Sequence, residues 1–491
     1  MKPISFNKIF IYGILFPLIA SSLFAQETPL RIAEPINSVI ADLKAYIPER
    51  MHEANVPGLA IALIKDGKVA WTEGFGVANT ITRKPIAPNT LFEVASNSKV
   101  VTAYATLRLI QQGKLDLDAF AHSYLPESVL KPSEYSNKIT IRHLLSHSSG
   151  LPHQPFSKNV PMFEPGTAYS YSGHGFEYLQ KIIESVTRQS LEEVCQRLVF
   201  EPLGMESSSF INWPTFRSRT ANGHIRSIVP LIVFIIPCII IYIVTFLIGL
   251  VVFRIVMGKW RPTGKFTIII LLIALGLFFI PTYFLFKSLI PEFWWLILQC
   301  IVMFYAAWMV LFLIARLIIS RISVLKQRKR IVAGIKIVWS ILAFVGLIFL
   351  ASRITNMPVP KWTPVEVHAA GTMRTTVGDL SKFLLELANP QYLSGEMATQ
   401  QHTPQISPSE DISWGLGIGI QHSQYGNALW QWGQTVDFQS VMVIYPEHNF
   451  GVVVFSNSDF FRPLIVFDVA HRALGGKFDG ILKASRLEFN Q

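Results

Sequence analysis

Between Ile228 and Leu350 the chain carries four apolar stretches, near 229–252, 266–288, 292–316 and 332–351. Each reaches or approaches the roughly 20 residues that an α-helix needs to cross a bilayer, so the pattern predicts a four-helix transmembrane insertion over 226–353. The flanking charges orient it. Arg254, Lys259, Arg261 and Lys265 follow the first stretch, and Arg316, Arg321, Lys326, Arg328, Lys329 and Arg330 follow the third. Both loops are therefore expected in the cytoplasm, and the turn from Lys287 to Glu292, with one charge of each sign, outside it. Four crossings bring the chain back to its starting side.

The same block explains the charge. The net charge is +11, yet residues 226–353 hold fourteen Lys or Arg against the single acid Glu292, which is +13 and leaves −2 for everything else. The basic balance is thus a topology signal, and no nucleic-acid partner is expected. A composition 51% hydrophobic and 15% charged fits a membrane protein better than a string of soluble domains. Of three cysteines, Cys195, Cys238 and Cys300, the last two fall in predicted spans, so neither a disulfide framework nor a metal site is expected.

Lys2 and Lys8, an apolar run from Ile9 to Phe24, and Ala25 before Gln26-Glu27 have the layout of a secretory signal peptide at 1–25. Leu23 is larger than the residue usual at that place, so an uncleaved anchor is the alternative. Both readings put the following residues outside the cytoplasm, on the periplasmic side of the bacterial cell membrane. The remainder, 26–225 and 354–491, suits one domain interrupted by the insertion.

Its coarse pattern is α+β. Leu59–Ile64 and Val69–Phe75 are apolar runs joined through Asp66-Gly67, a hairpin signal. Helix is expected within Thr90–Gln112, stopped by Gly113, at Ile141–Ser146, along Phe176–Leu198 and over Val377–Leu387. Strands are expected at Gly415–Gln421, Ala428–Gly433, Ser440–Tyr445 and Gly451–Ser456, with a last helix at Ile465–Leu474. Strands from both chain ends with helices between predict one antiparallel sheet closed by its termini.

Ser96-Asn97-Ser98-Lys99 places a hydroxyl and an amine three residues apart at a helix start, on one face and within contact range. Alone the tetrad is weak, since Ser and Lys are common. It stands, however, in an ordered series: VPGLAIALIKDGKVAWTEGFG, NTLFEVASNSKV, QQGKLDLD, ITIRHLLSHSSGLP, FEPGTAYSYSG, FEPLGME and AAGTMRTTVGDLSKF. In this series the chain resembles the serine beta-lactamase-like family, which includes class C beta-lactamases, low-molecular-mass penicillin-binding DD-peptidases and related esterases. The resemblance implies an antiparallel sheet flanked by helices plus a helical domain, and a serine hydrolase without cofactor. It implies Ser96 as the acylated nucleophile, Lys99 as its activator and Tyr171 as second base or proton shuttle. The oxyanion would lie between the backbone N–H groups of Ser96 and Gln434, the latter aligned on Phe438. His143, His147 and His174 are read as structural or rim residues.

Two positions depart from the family pattern. Gly173 stands where the second motif, Tyr-x-Asn, has its amide. The third motif, Lys-x-Gly or His-x-Gly, becomes Gln431-Trp432-Gly433, without the cation that binds a substrate carboxylate; shifted by one, Trp432-Gly433-Gln434 resembles the Trp-Gly-Gly of some esterases. Both changes touch substrate recognition and spare Ser96, Lys99 and Tyr171. The expected activity is therefore hydrolysis of a small-molecule or peptidoglycan-like ester, amide or peptide, by an esterase or a cell-wall D-amino-acid peptidase. The alternative is a non-catalytic, penicillin-binding-like ligand sensor, against which stands the shortness of the predicted cytoplasmic loops. Transport is disfavoured because the spans carry almost no ionisable residues.

Overall fold

The computed structural model describes residues 28–153, 160–211, 214–225, 357–358, 367–458, 464–477 and 481. The predicted signal peptide and the four predicted spans lie outside these residues. Among the described residues no helix is long and apolar enough to cross a membrane. The chain divides into two units, and the one built from both chain ends, up to His224 and from Pro364 on, carries the fold that follows.

In chain order its main elements are α1 (Ile36–Ala54), β1 (Gly58–Lys65), β2 (Lys68–Gly76), β3 (Phe92–Glu93), α2 (Asn97–Gln111), α3 (Ile141–Leu145), α4 (Gly173–Thr187) and α5 (Leu191–Cys195). There follow β4 (Arg374–Thr375), α6 (Val377–Ala388), α7 (Gly395–His402), β5 (Ile412–Trp414), β6 (Gly419–Ser423), β7 (Gly426–Gln434), β8 (Gln439–Tyr445), β9 (Phe450–Ser456) and α8 (Ile465–Leu474). Seven strands form one antiparallel sheet in the order β2-β1-β9-β8-β7-β6-β5. The sheet is closed by its termini as the sequence predicts: β1 pairs with β9 from Leu59↔Ser456 to Ile64↔Gly451.

The first hairpin turns where expected. Asp66 and Gly67 both adopt positive φ, 54° and 72°, as a two-residue turn matched to strand twist requires. Strand side chains alternate between two covered faces. Leu59, Ile61, Leu63, Val441, Val443, Val452 and Val454 pack toward α1 and α8, whereas Ala60, Ala62, Ile64, Met442, Ile444, Val453 and Phe455 join the core shared with α2, α4 and α6. Burial on both faces is why these strands read as continuous apolar runs instead of alternating ones.

Several elements differ from the sequence reading, among them α7, which it does not foresee. The single helix expected over Phe176–Leu198 is two. Arg188 turns into the left-handed region (φ 56°) to end α4, and Ser190 with Glu193 forms a capping box that starts α5. The strand expected at Gly415–Gln421 begins only at Gly419, in β6, and the unforeseen β5 ends before it at Trp414; between them Gly417 (φ 80°) lies so close to α2 that a Cβ would fall 2.1 Å from the Ala103 methyl. Helix α1 is not foreseen at all; its stripe of Val39, Leu43, Ile47, Met51 and Ala54 is interrupted by polar residues and by Pro48.

Candidate active site

Ser96 stands just before the first turn of α2, and the chain reaches it through Ala95, whose φ of 48° is costly for a residue with a Cβ. The kink is locked by Ser98. Its backbone N–H and its Oγ both donate to the Ala95 carbonyl, at 2.9 and 2.6 Å, and the Oγ accepts from the Met373 N–H at 3.1 Å. Strand β8 holds the same loop from the other side. Ser440 Oγ donates to the Val94 carbonyl at 2.8 Å and accepts from Asn97 Nδ2 at 2.8 Å.

Lys99, one turn into α2, is only 3% exposed. Its Nζ donates to Ser96 Oγ at 2.8 Å and to the Ala370 carbonyl at 2.9 Å, and it lies 4.8 Å from the centre of the Tyr171 ring, within cation–π range. The predicted trio is thus brought together from α2 and from the segment leading into α4. A lysine in hydrogen-bond contact with a serine hydroxyl can take its proton once the amine is neutral, converting a poor nucleophile into an alkoxide.

Tyr171 is buried in an aromatic box. His147, His153 and Trp414 have ring centres 4.3, 5.4 and 5.8 Å from its own. His147 supports this segment through its Nδ1, which accepts from the Ser172 N–H at 3.0 Å and so places its ring proton on Nε2. Burial, then the Lys99 charge, hold His147 well below the usual histidine range, and the same two causes bring His153 down to about 4. Both rings are neutral at pH 7. His143 closes the capping box of α3 with Thr140, and His174 pairs with Glu177.

The residues of the third motif separate by strand alternation. Gln431 is buried and its Nε2 donates to Tyr171 Oη at 3.2 Å and to the Trp432 carbonyl at 2.7 Å. Gly433 is required by the space: a Cβ there would sit 2.3 Å from the Val94 carbonyl and 2.7 Å from the Ser96 nitrogen. β7 therefore runs against the Ser96 amide, and Gln434 is the next residue on it, paired with Gln439 across the sheet. Trp432, expected to contact substrate, instead points into the core, its ring 5.8 Å from Phe467 of α8. Gly173 opens α4, and a Cβ on it would meet the His153 carbonyl at 2.9 Å. Backbone crowds the place where the family's amide would begin.

Sequence reasoning missed His153, Trp414 and the Ala370 carbonyl. Ala370 lies in the AAGTMRTTVGDLSKF stretch, but a backbone acceptor leaves no mark in a sequence.

A family model described as Beta-lactamase matches residues 43–230 and 349–474. Among curated proteins, Protein flp of Staphylococcus aureus (strain NCTC 8325 / PS 47) is 29% identical over 187 residues, 34% of this chain and 38% of that protein. Esterase EstB of Burkholderia gladioli is 28% identical over 219 residues, 38% of this chain and 56% of EstB. The matches thus span well under two thirds of either relative. Among solved structures, the octameric penicillin-binding protein homologue from Pyrococcus abyssi covers 91% of this chain and 77% of its own, with TM-score 0.56 and 20% identity. A class C beta-lactamase covers 90% and 97%, with TM-score 0.57 and 16% identity. At these identities the two structures speak to the fold, which they share with this chain.

Proposed function

The chain belongs to the beta-lactamase family of serine hydrolases, and on that premise we propose that it cleaves an ester, amide or peptide outside the cytoplasm through an acyl intermediate on Ser96. The observation that carries this reading is the buried Lys99 amine at 2.8 Å from the Ser96 hydroxyl. In the proposed cycle the neutral amine of Lys99 takes the hydroxyl proton as Ser96 Oγ attacks the substrate carbonyl carbon. The oxyanion is received by the backbone N–H groups of Ser96 and Gln434. Tyr171, its hydroxyl oriented by Gln431, gives its proton to the leaving group and takes the one held by Lys99, which returns the amine to neutral; water then releases the acyl group with the same proton path run in reverse.

Gln431 favours an ester or uncharged amide over a substrate anchored by its carboxylate. A neutral amide at this place donates to Tyr171 but offers no charge for bidentate or ionic capture. The similar proteins include an esterase and a penicillin-binding protein homologue, and the esterase reading suits this chain's third motif better. The four apolar stretches and their flanking charges support attachment to the bacterial cell membrane with the catalytic unit on the periplasmic side. Initial rates on short-chain p-nitrophenyl esters and on a D-Ala-D-Ala peptide, each with the wild type and Ser96→Ala, test the reading. Ester turnover lost in Ser96→Ala is expected; turnover surviving that change would sink it, and exclusive cleavage of the peptide would move the substrate class to the cell wall.

A further inference from the structure

One carboxylate joins two segments that border the nucleophile. Glu177, one turn into α4, meets His174 Nδ1 at 3.0 Å through Oε2 and His368 Nε2 at 2.5 Å through Oε1. An ionised carboxylate only accepts, so each ring nitrogen facing it carries its proton. The His368 hydrogen bond, ahead of the opposing effect of burial, holds the Glu177 carboxyl below the usual range, which keeps it ionised. Gln180, on the same face of α4, extends the seam. Its Oε1 accepts from the Ala369 N–H at 2.9 Å and its Nε2 donates to the Val367 carbonyl at 3.1 Å.

The second nitrogen of His368 completes a path inward. Nδ1 accepts from the Ala370 N–H at 3.2 Å, and the carbonyl of that same Ala370 accepts from Lys99 Nζ at 2.9 Å. Glu177 to His368, His368 to Ala370 and Ala370 to Lys99 are three consecutive contacts. The outer end is open to solvent, His368 being 39% and Glu177 33% exposed at the side chain, while the inner end is the buried Lys99 amino group. A seam this wet adds little net stability, since solvent screens exposed pairs. What it does is fix the conformation of 367–370 and hence the direction of one carbonyl.

We propose that Glu177 is a positioning residue which, through His368, aims the Ala370 carbonyl and so sets where the Lys99 amino group stands relative to Ser96. The proposal rests on the serine hydrolase reading above. It separates the two arms of the carboxylate: the His368 arm leads to Lys99, whereas the His174 arm only braces the start of α4.

The experiment is the time course of fluorophosphonate labelling of the full-length chain, followed by intact mass at several probe concentrations, so that limiting rate and half-saturating concentration are obtained separately. Glu177→Leu and His368→Ala are each expected to lower the limiting rate about 10- to 100-fold, the cost of misplacing a catalytic group by up to about 1 Å, while half-saturation moves little. The double variant should be no slower than the worse single one, because both act in one chain of contacts. Glu177→Gln, whose amide oxygen still accepts from His368, should recover most of the rate, and His174→Ala should label at nearly the wild-type rate. Wild-type rates in Glu177→Leu would overturn the proposal, as would equal slowing in His174→Ala and Glu177→Leu, which would mark a merely structural seam. Absence of labelling in the wild type would instead remove the hydrolase reading, and the proposal with it.

Discussion

Gly433→Ala is the smallest change that should disable the site while leaving every catalytic side chain in place. Carbon–oxygen contacts run at about 3.3–3.6 Å, and the new Cβ would lie 2.3 Å from the Val94 carbonyl, an overlap of about 1 Å against backbone. Ser440 Oγ, at 2.7 Å, cannot yield freely, because it ties Val94 to Asn97. The overlap must be relieved by moving β7 away from the loop that carries Ser96, and Gln434 moves with it. Losing one oxyanion donor costs about 10²–10³-fold in kcat, or ~2.7–4 kcal/mol of barrier. Overpacking adds a stability cost of about 1–3 kcal/mol. Ester hydrolysis and denaturant midpoints measured on the same preparations separate the two effects. Gly395→Ala at the start of α7 is the control, since nothing lies within 4 Å of its Cβ position and its φ is not strained. Turnover within about threefold of wild type in Gly433→Ala, with the midpoint unchanged, would refute the placement of the oxyanion site between Ser96 and β7.

Three further outcomes follow from the same geometry. Gln431→Leu removes the donor to Tyr171 Oη and the Trp432 carbonyl and should cost about 1–3 kcal/mol in denaturant stability together with a fall in kcat; unchanged turnover would show that Tyr171 needs no such partner. Gly173→Asn should not raise penicillin labelling above the wild-type level, because its Cβ must first displace the His153 carbonyl; a stable variant that labels faster than the wild type would contradict this. Stability should fall with acid between about pH 6.5 and 4. Burial holds His147 well below its usual range and His153 and His402 near 4, so the unfolded chain binds extra protons in that window and unfolding is favoured as pH drops. Glu93, pushed by burial up to about 7 against the pull of its Arg374 partner, and Asp468, also raised by burial, oppose this as carboxyls that hold a proton more readily when folded. Urea midpoints at pH 7 and pH 5 read the balance, and a higher midpoint at pH 5 would contradict it.

The sheet was largely legible because its strands obey local rules. Asp66-Gly67 specifies a turn by itself, and the runs at 440–445 and 451–456 lie within a residue of the observed β8 and β9. Ser96, Lys99 and Tyr171 were legible because their motifs are short and ordered. What escaped depends on contacts distant in sequence. Gln431 reads as a missing cation, yet its role is set by Tyr171, 260 residues earlier. Trp432 reads as a site residue by adjacency, but period-two alternation sends it to the opposite face. Gly417, between β5 and β6, lies against Ala103 on another element. Glu177 and His368 carry no motif, and only the fold aligns them with Lys99.

The proposed hydrolysis requires that Ser96, activated by Lys99, form a covalent acyl-type adduct. The most direct measurement is peptide mapping after exposure of the full-length chain to a fluorophosphonate, beside Ser96→Ala and Lys99→Ala. A single phosphonyl adduct on Ser96, none in Ser96→Ala, and labelling slowed by orders of magnitude in Lys99→Ala are expected. An adduct on another residue, or Lys99→Ala labelling at the wild-type rate, would contradict it.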